Sequence, residues 1–355
     1  MKVKKILALI LTLAMTVSLF PAVYAANNDP LSFEDAKLTE LNVTVDGKSL
    51  AVKMYEDIYC ATPNRAEDQQ IAVYIPENAT KESPIIFMVN NAGWMQNNYS
   101  GRKGVSDGKD YSSASDNDVV GKALSEGYVI VSYGCRSRNN GANEDGEYLG
   151  HSPATMVDTK AAIRYLRDNS DLLPAGNPER IVITGTSGGG ALSVVIAASG
   201  NSADYYEYLY EIGAAGVEYA DGKYTSSVSD AVWATIAYCP ITDLGNACAA
   251  YEWTYNSTRE RLYNEGLMSY DGVDKDVVMD SSAELKAMFE EYVDSLDLKR
   301  EDGSELTSLP PVGGTPASCP PGPPHPAPAL SSLRPPSHSP RQFLRCLVSI
   351  RAARA

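Results

Sequence analysis

Histidine is scarce: only His151, His325 and His338 occur in 355 residues. Positive charge is scarce too, with 30 Lys and Arg against 45 Asp and Glu and a formal charge of −15. That balance repels phosphate backbones and anionic membrane surfaces, so nucleic acid and membrane are not expected partners, and a small uncharged substrate fits better. The six cysteines (Cys60, Cys135, Cys239, Cys248, Cys319, Cys346) show no CxxC and no metal-ligand spacing, so no metal site is expected. They read as small buried apolar residues, with a Cys239–Cys248 bridge as the open alternative. No apolar run reaches the roughly 20 residues a membrane span needs. No GxGxxG opens the first strand–helix unit, so no cofactor is expected.

What is present is a globular composition, 44% hydrophobic with 27 Gly, 21 Pro and 22 Tyr, which excludes a disordered or collagen-like polymer. The amino terminus carries Lys2, Lys4 and Lys5, an apolar stretch from Ile6 to Phe20, and Val23-Tyr24-Ala25. This is the order of an export signal, predicting cleavage after residue 25 and a secreted product beginning at Ala26. Because Ala26 is not Cys, a lipid anchor is not supported. N-x-S/T sequons stand at Asn42, Asn78, Asn98 and Asn256.

Charge breaks sharply near the other end. Every Asp and Glu lies at or before Glu305, whereas residues 306–355 hold five Arg, no Lys and 12 of the 21 prolines. Such text cannot bury enough apolar surface to offset its ordering entropy, so a disordered tail is expected. The abrupt loss of acids and Lys also reads as a shifted reading frame after about Ser308, with a Pro-rich linker as the alternative.

Between these ends, residues 26–305 alternate strand and helix signals. Leu41–Val45 and Leu50–Met54 flank Asp46-Gly47, a tight-hairpin dipeptide. Ile71–Ile75 follows, and then Pro84–Asn90, Gly127–Tyr133, Arg180–Gly185 and Ala231–Tyr238, runs suited to strands buried on both faces. Helices are predicted over Val119–Ser125, Pro153–Asp168 with Ser152 as N-cap, and Ser187–Ser199. The pattern predicts an α/β, doubly wound, mostly parallel sheet. After Tyr238 the rhythm stops. Ser281-Ser282-Ala283-Glu284 reads as a capping box opening a helix with Leu285, Met288, Phe289, Tyr292 and Leu296 on one side, an expected helical cap inserted from about residue 245.

The chemistry concentrates in Gly185-Thr186-Ser187-Gly188-Gly189, a G-x-S-x-G placed between a predicted strand and a predicted helix. Glycines permit the close backbone approach of such a turn, the serine hydroxyl is held exposed, and the helix amino terminus favours developing negative charge. Ser187 is thus the candidate nucleophile. The competing reading, an anion-binding turn, lacks the Lys that follows in a phosphate loop. An oxyanion needs two convergent donors. One is expected from the amide of Gly188, and the second from Asn91 or Ala92 in the turn Val89-Asn90-Asn91-Ala92-Gly93-Trp94, unless that segment is an ordinary turn.

These features, with Tyr238-Cys239-Pro240-Ile241-Thr242-Asp243 and the run Ala249–Trp253, resemble the α/β-hydrolase superfamily over roughly residues 36–300, and more narrowly its bacterial tannase and feruloyl-esterase-like branch. The resemblance implies a secreted carboxylic ester hydrolase acting on phenolic or similar small esters. In that fold the triad runs Ser, then Asp or Glu, then His, on loops after later strands. The chain is expected to end before those strands, which would leave it inactive. His151 precedes the nucleophile and reads as a surface residue, and His325 and His338 fall in the Pro-rich tail. Asp243, after a central strand, is the acid candidate, against a turn or cap role. Two further readings stay open, a serine peptidase or amidase of the same fold and a noncatalytic binding protein that kept the fold.

Overall fold

The Asp46-Gly47 turn is where local sequence acts most directly on the structure. Both residues take positive φ, 50° and 77°, as a two-residue turn between twisted strands requires. They join β1 (Lys37–Val45) to β2 (Lys48–Tyr59), with Val45 opposite Lys48 and Lys37 opposite Glu56. Leu41, Val43 and Val45 alternate into the core. A bulge between Tyr55 and Ile58 shifts the pairing of β2 with β3 (Gln70–Pro76). These coordinates come from a computed structural model that describes residues 32–304 except 63–66, 102–103, 116–117, 138, 144–145, 147 and 266–274. The expected export signal and the expected disordered tail with its two histidines lie outside the described residues.

The chain divides into two compact units, at Pro240 and Ile241. In the first, β4 (Ile85–Val89), β6 (Val129–Tyr133), β7 (Ile181–Thr186) and β10 (Ala234–Tyr238) run parallel. With the short β5 (Asp110–Tyr111) they complete an eight-stranded mixed sheet in the order β10-β7-β4-β6-β3-β2-β1-β5. Three helices connect the parallel strands: α1 (Val119–Ser125), α2 (Ala154–Asp168) and α3 (Gly188–Ala198).

Alternation along the strands divides the core between the two faces of the sheet. Ile85, Phe87, Val89, Val129, Val131, Ile181 and Ile183 pack with Val157, Ala161 and Leu166 of α2 and Leu192 and Ile196 of α3. Ile86, Ile130 and Val182 pack on the other side with Ala123 and Leu124 of α1 and the apolar residues of β1 and β2. Right-handed crossovers account for the division. The path from β4 through α1 to β6 runs one way along the sheet; the path back through α2 to β7 runs the other, so the helices cover opposite faces. The chain therefore reverses direction at β4, and the carboxyl ends of β4 and β7 open on the crevice where this architecture places ligands.

Several expectations are corrected. β10 is not buried on both faces: Ile236 and Tyr238 are 44% and 45% exposed, because its one partner among the described residues is β7. Helix α2 begins at Ala154, after a cis Ser152–Pro153 bond, with Pro153 in the capping position and no side-chain cap. A small hairpin, β8 (Val217–Ala220) and β9 (Lys223–Ser226), follows the short helix α4 (Tyr206–Glu211) and was not foreseen. Cys239 is free and exposed while Cys248 is disulfide-bonded, so these two do not pair.

The second unit holds α5 (Ala247–Asn264) and α6 (Lys275–Ser295). The Ser281 motif does not open a helix; α6 starts six residues earlier. Ser281 Oγ donates to the carbonyl of Val277 four residues back, and buried Ser282 donates to Glu252 and accepts from Asn256 Nδ2 at 2.9 Å. Serines that find such partners sit inside a helix rather than cap it.

Candidate active site

Strand β7 ends at Thr186 and α3 begins at Gly188, leaving Ser187 alone in the turn between them. Its backbone has φ 58° and ψ −117°, a conformation that costs a non-glycine residue about 1–3 kcal/mol and persists only where the surroundings impose it. Here they do. The Ser187 N–H donates to the carbonyl of Tyr238 at the end of β10 (2.9 Å), and its carbonyl accepts from Ala191 N–H (3.0 Å) as the first bond of α3. The side chain is exposed at the carboxyl edge of the sheet.

The glycines after Ser187 serve close approach. A Cβ on Gly189 would lie 2.3 Å from the carbonyl oxygen of Val89, and one on Gly188 would lie 2.4 Å from both Asn91 O and Trp94 N. Any side chain there would push the turn after β7 away from the turn after β4. Their absence brings Ser187, Gly188 and the Asn91–Trp94 segment together.

In that segment Trp94 N–H donates to Asn91 O (2.9 Å) and Met95 N–H to Ala92 O (3.2 Å), while Gly93 and Trp94 take φ of 61° and 57°. Among the described residues the amides of Asn91 and Ala92 donate to no protein acceptor. Ala92 is exposed and Asn91 is fully buried. The Asn91 side chain is used internally: Nδ2 donates to Met95 O (2.7 Å) and Cys135 Sγ (2.9 Å), and Oδ1 accepts from the Tyr133 hydroxyl (2.9 Å). Tyr133 and Cys135 were not anticipated by sequence. They lie 42 and 44 residues away, and nothing in their local pattern signals the contact. Burial raises the Cys135 thiol to about 12 and the Tyr133 phenol well above its ordinary range.

Asp243 and His151 are the remaining candidates among the described residues. Asp243 belongs to the second unit and has φ 51°. Both its carboxylate oxygens accept from Asn246 Nδ2, at 3.1 and 3.0 Å, and hydrogen bonds from Tyr292 and Asn246 lower its pKa. That is the pattern of a turn residue. His151 is the one histidine among the described residues; it is exposed, with its ring 5.6 Å from that of Tyr148. Among the described residues no hydrogen bond joins it to Ser187. No group of three His, Cys, Asp or Glu among the described residues could hold a metal ion, and no described helix is long and apolar enough to cross a membrane.

Comparison with known proteins places this geometry in context. The family model BD-FAE matches residues 71–277, from β3 to the start of α6. The tannase of Fusobacterium nucleatum is 32% identical, with a TM-score of 0.54 over 80% of this chain and 61% of that one. The tannin acyl hydrolase of Lactobacillus plantarum is 28% identical, with a TM-score of 0.50 over 76% of this chain and 57% of that one. A tannin acyl hydrolase in complex with ethyl gallate is 29% identical, with the same TM-score and the same two coverages. The chain thus spans about three fifths of the length of these solved relatives. No curated protein matches it.

Proposed function

The chain belongs to the BD-FAE family of esterase-type α/β-hydrolase domains, and from that premise we propose that it is an exported hydrolase of small phenolic carboxylic esters with Ser187 as nucleophile. The observation that carries the reading is the Ser187 turn: a strained, exposed serine at a helix amino terminus, pressed by Gly188 against a second loop with unused amides. In this reaction Ser187 Oγ forms a bond to the ester carbonyl carbon and gives up its proton to a base. The carbonyl oxygen takes the negative charge and is held by the amide of Gly188 and that of Asn91 or Ala92. The bond to the alcohol oxygen breaks, the alcohol leaves with a proton, and an acyl-serine remains. Water repeats the sequence and releases the acid.

The substrate class rests on the tannase likeness, since a solved relative holds ethyl gallate. No described residue is hydrogen-bonded through an imidazole to Ser187, so on the described residues alone Ser187 is a weakly activated alcohol. Its expected reactivity is the portion that oxyanion donors retain without a triad, roughly 10³-fold or more over water. Residues 1–25 are proposed as the export signal.

Labelling with a fluorophosphonate and hydrolysis of ethyl gallate, set against a dipeptide amide, test the proposal in the parent chain and in Ser187→Ala. The expected result is slow modification of Ser187, ester cleavage in preference to amide cleavage, and loss of both in the variant. Ester cleavage undiminished by Ser187→Ala overturns the nucleophile assignment. Ethyl gallate binding with neither labelling nor turnover leaves the noncatalytic binding protein instead.

A further inference from the structure

We propose that Tyr133 and Cys135 are positioning residues, acting through the Asn91 side chain to hold the loop after β4, which carries the two free amides, against the Ser187 turn. The inference rests on the ester-hydrolase reading and extends it to residues that touch no reacting atom.

The loop is strapped to the end of β6 at four places. Both protons and the oxygen of the Asn91 amide group are engaged, with one Nδ2 proton on Met95 O, the other on Cys135 Sγ, and Oδ1 receiving the Tyr133 proton. Ser137 Oγ, beyond β6, donates to Trp94 O at 2.8 Å. The main chains of Asn97 and Cys135 exchange two hydrogen bonds, at 3.2 and 3.0 Å. Asn97 Nδ2 donates to the carbonyl of Tyr133 at 2.5 Å. Tyr133 is set in turn from α2, with Thr159 Oγ1 3.1 Å from its hydroxyl. Asn91, Tyr133, Cys135 and Thr159 are all fully buried.

A buried amide with both protons and its oxygen engaged holds one orientation, because any other leaves a polar group without a partner. That orientation fixes the turn at Asn91, and with it where the amides of Asn91 and Ala92 point. Oxyanion donors stabilise charge only when they are in place before it develops. Tyr133 and Cys135 are therefore required for preorganisation as well as for packing, and both protonate normally at neutral pH because burial raises their pKa values.

Tyr133→Phe removes only the hydroxyl, Cys135→Ala removes the acceptor, and Cys135→Ser restores one. Each is made in the full chain and treated with a fluorophosphonate, which forms the Ser187 Oγ–phosphorus bond, expels fluoride from phosphorus and releases the serine proton to solvent. Hydrogen exchange of the peptide over residues 90–96 and the melting temperature are followed in parallel. The expected result is a fall in the inactivation rate constant of about tenfold in Tyr133→Phe and Cys135→Ala, short of the roughly 10²–10³-fold that outright loss of a donor costs. The probe's binding constant should stay unchanged, loop exchange should rise, and Cys135→Ser should recover most of what Cys135→Ala loses. Faster exchange or a lower melting temperature with an unchanged inactivation rate overturns the proposal while leaving Ser187 as nucleophile. If the parent shows no labelling at Ser187, the ester-hydrolase reading fails and the positioning role is overturned with it.

Discussion

At Ser187 stability and reactivity pull in opposite directions. A φ of 58° with a ψ of −117° is expensive for serine and nearly free for glycine. Ser187→Gly is therefore expected to stabilise the protein by about 1 kcal/mol, read as a higher urea midpoint at unchanged slope, while abolishing fluorophosphonate labelling. A destabilised variant would mean that the serine side chain, and not its backbone, is what the fold needs. The sequence made this residue legible because a strand, a G-x-S-x-G and an apolar helix are adjacent in the chain. It could not show that the Asn91 side chain is buried, since the groups that bury it arrive from β6.

Among the elements, α2 carries the largest buried charge. Lys160 and Arg164 both reach Asp230, each at 2.8 Å, with all three side chains at most 1% exposed. Lys160 also donates to Ser199 O at 2.6 Å, and Arg164 to Ser226 Oγ at 2.8 Å. Arg167 continues the row, donating to the carbonyls of Ser229 and Ala231. One helix face thereby anchors the segment that leads from α3 through the β8–β9 hairpin into β10. Removing the anion strands two cations in a dry environment, and breaking a buried pair costs about 3–5 kcal/mol. Asp230→Ala should lose at least that much in urea unfolding, and a loss below about 1 kcal/mol would show the site to be hydrated. Sequence periodicity identified α2 and its apolar side. Charged residues inside a predicted helix read as surface, and the acid that buries them lies 66 and 70 residues away.

Across the whole molecule, buried acids set the alkaline limit. Burial raises the pKa of Cys60, Cys135, Tyr74, Tyr133 and Tyr165. A group with a raised folded pKa contributes stability that is complete below its unfolded pKa and is lost as pH climbs toward the folded value. For Cys135 that window runs from 9.0 to about 12. By pH 10.5 its share of the loss is about 2 kcal/mol, at about 1.4 kcal/mol per pH unit. Lys160, whose pKa is lowered by desolvation against the pull of Asp230, works in the opposite direction but is one group against five. The urea midpoint should therefore be lower at pH 10.5 than at pH 8, and a rise over that interval would contradict the assignment of these groups to a dry core.

Local chemistry in the sequence determined the Asp46-Gly47 hairpin, helices α1, α2 and α3 to within about a residue, and the strand–serine–helix turn, because each depends on neighbours within a few positions. Tertiary structure alone decided the strand order that sets β4 beside both β6 and β7. It also decided which edge of β10 has no partner among the described residues, the exposure of its apolar side chains, the early start of α6, and the state of Cys239 and Cys248. Each of these depends on which distant groups come to share a surface. The same holds at the candidate site: the proposed nucleophile was written in adjacent residues, whereas the buried scaffold behind the loop after β4 came into being only when β6 and α2 closed around Asn91.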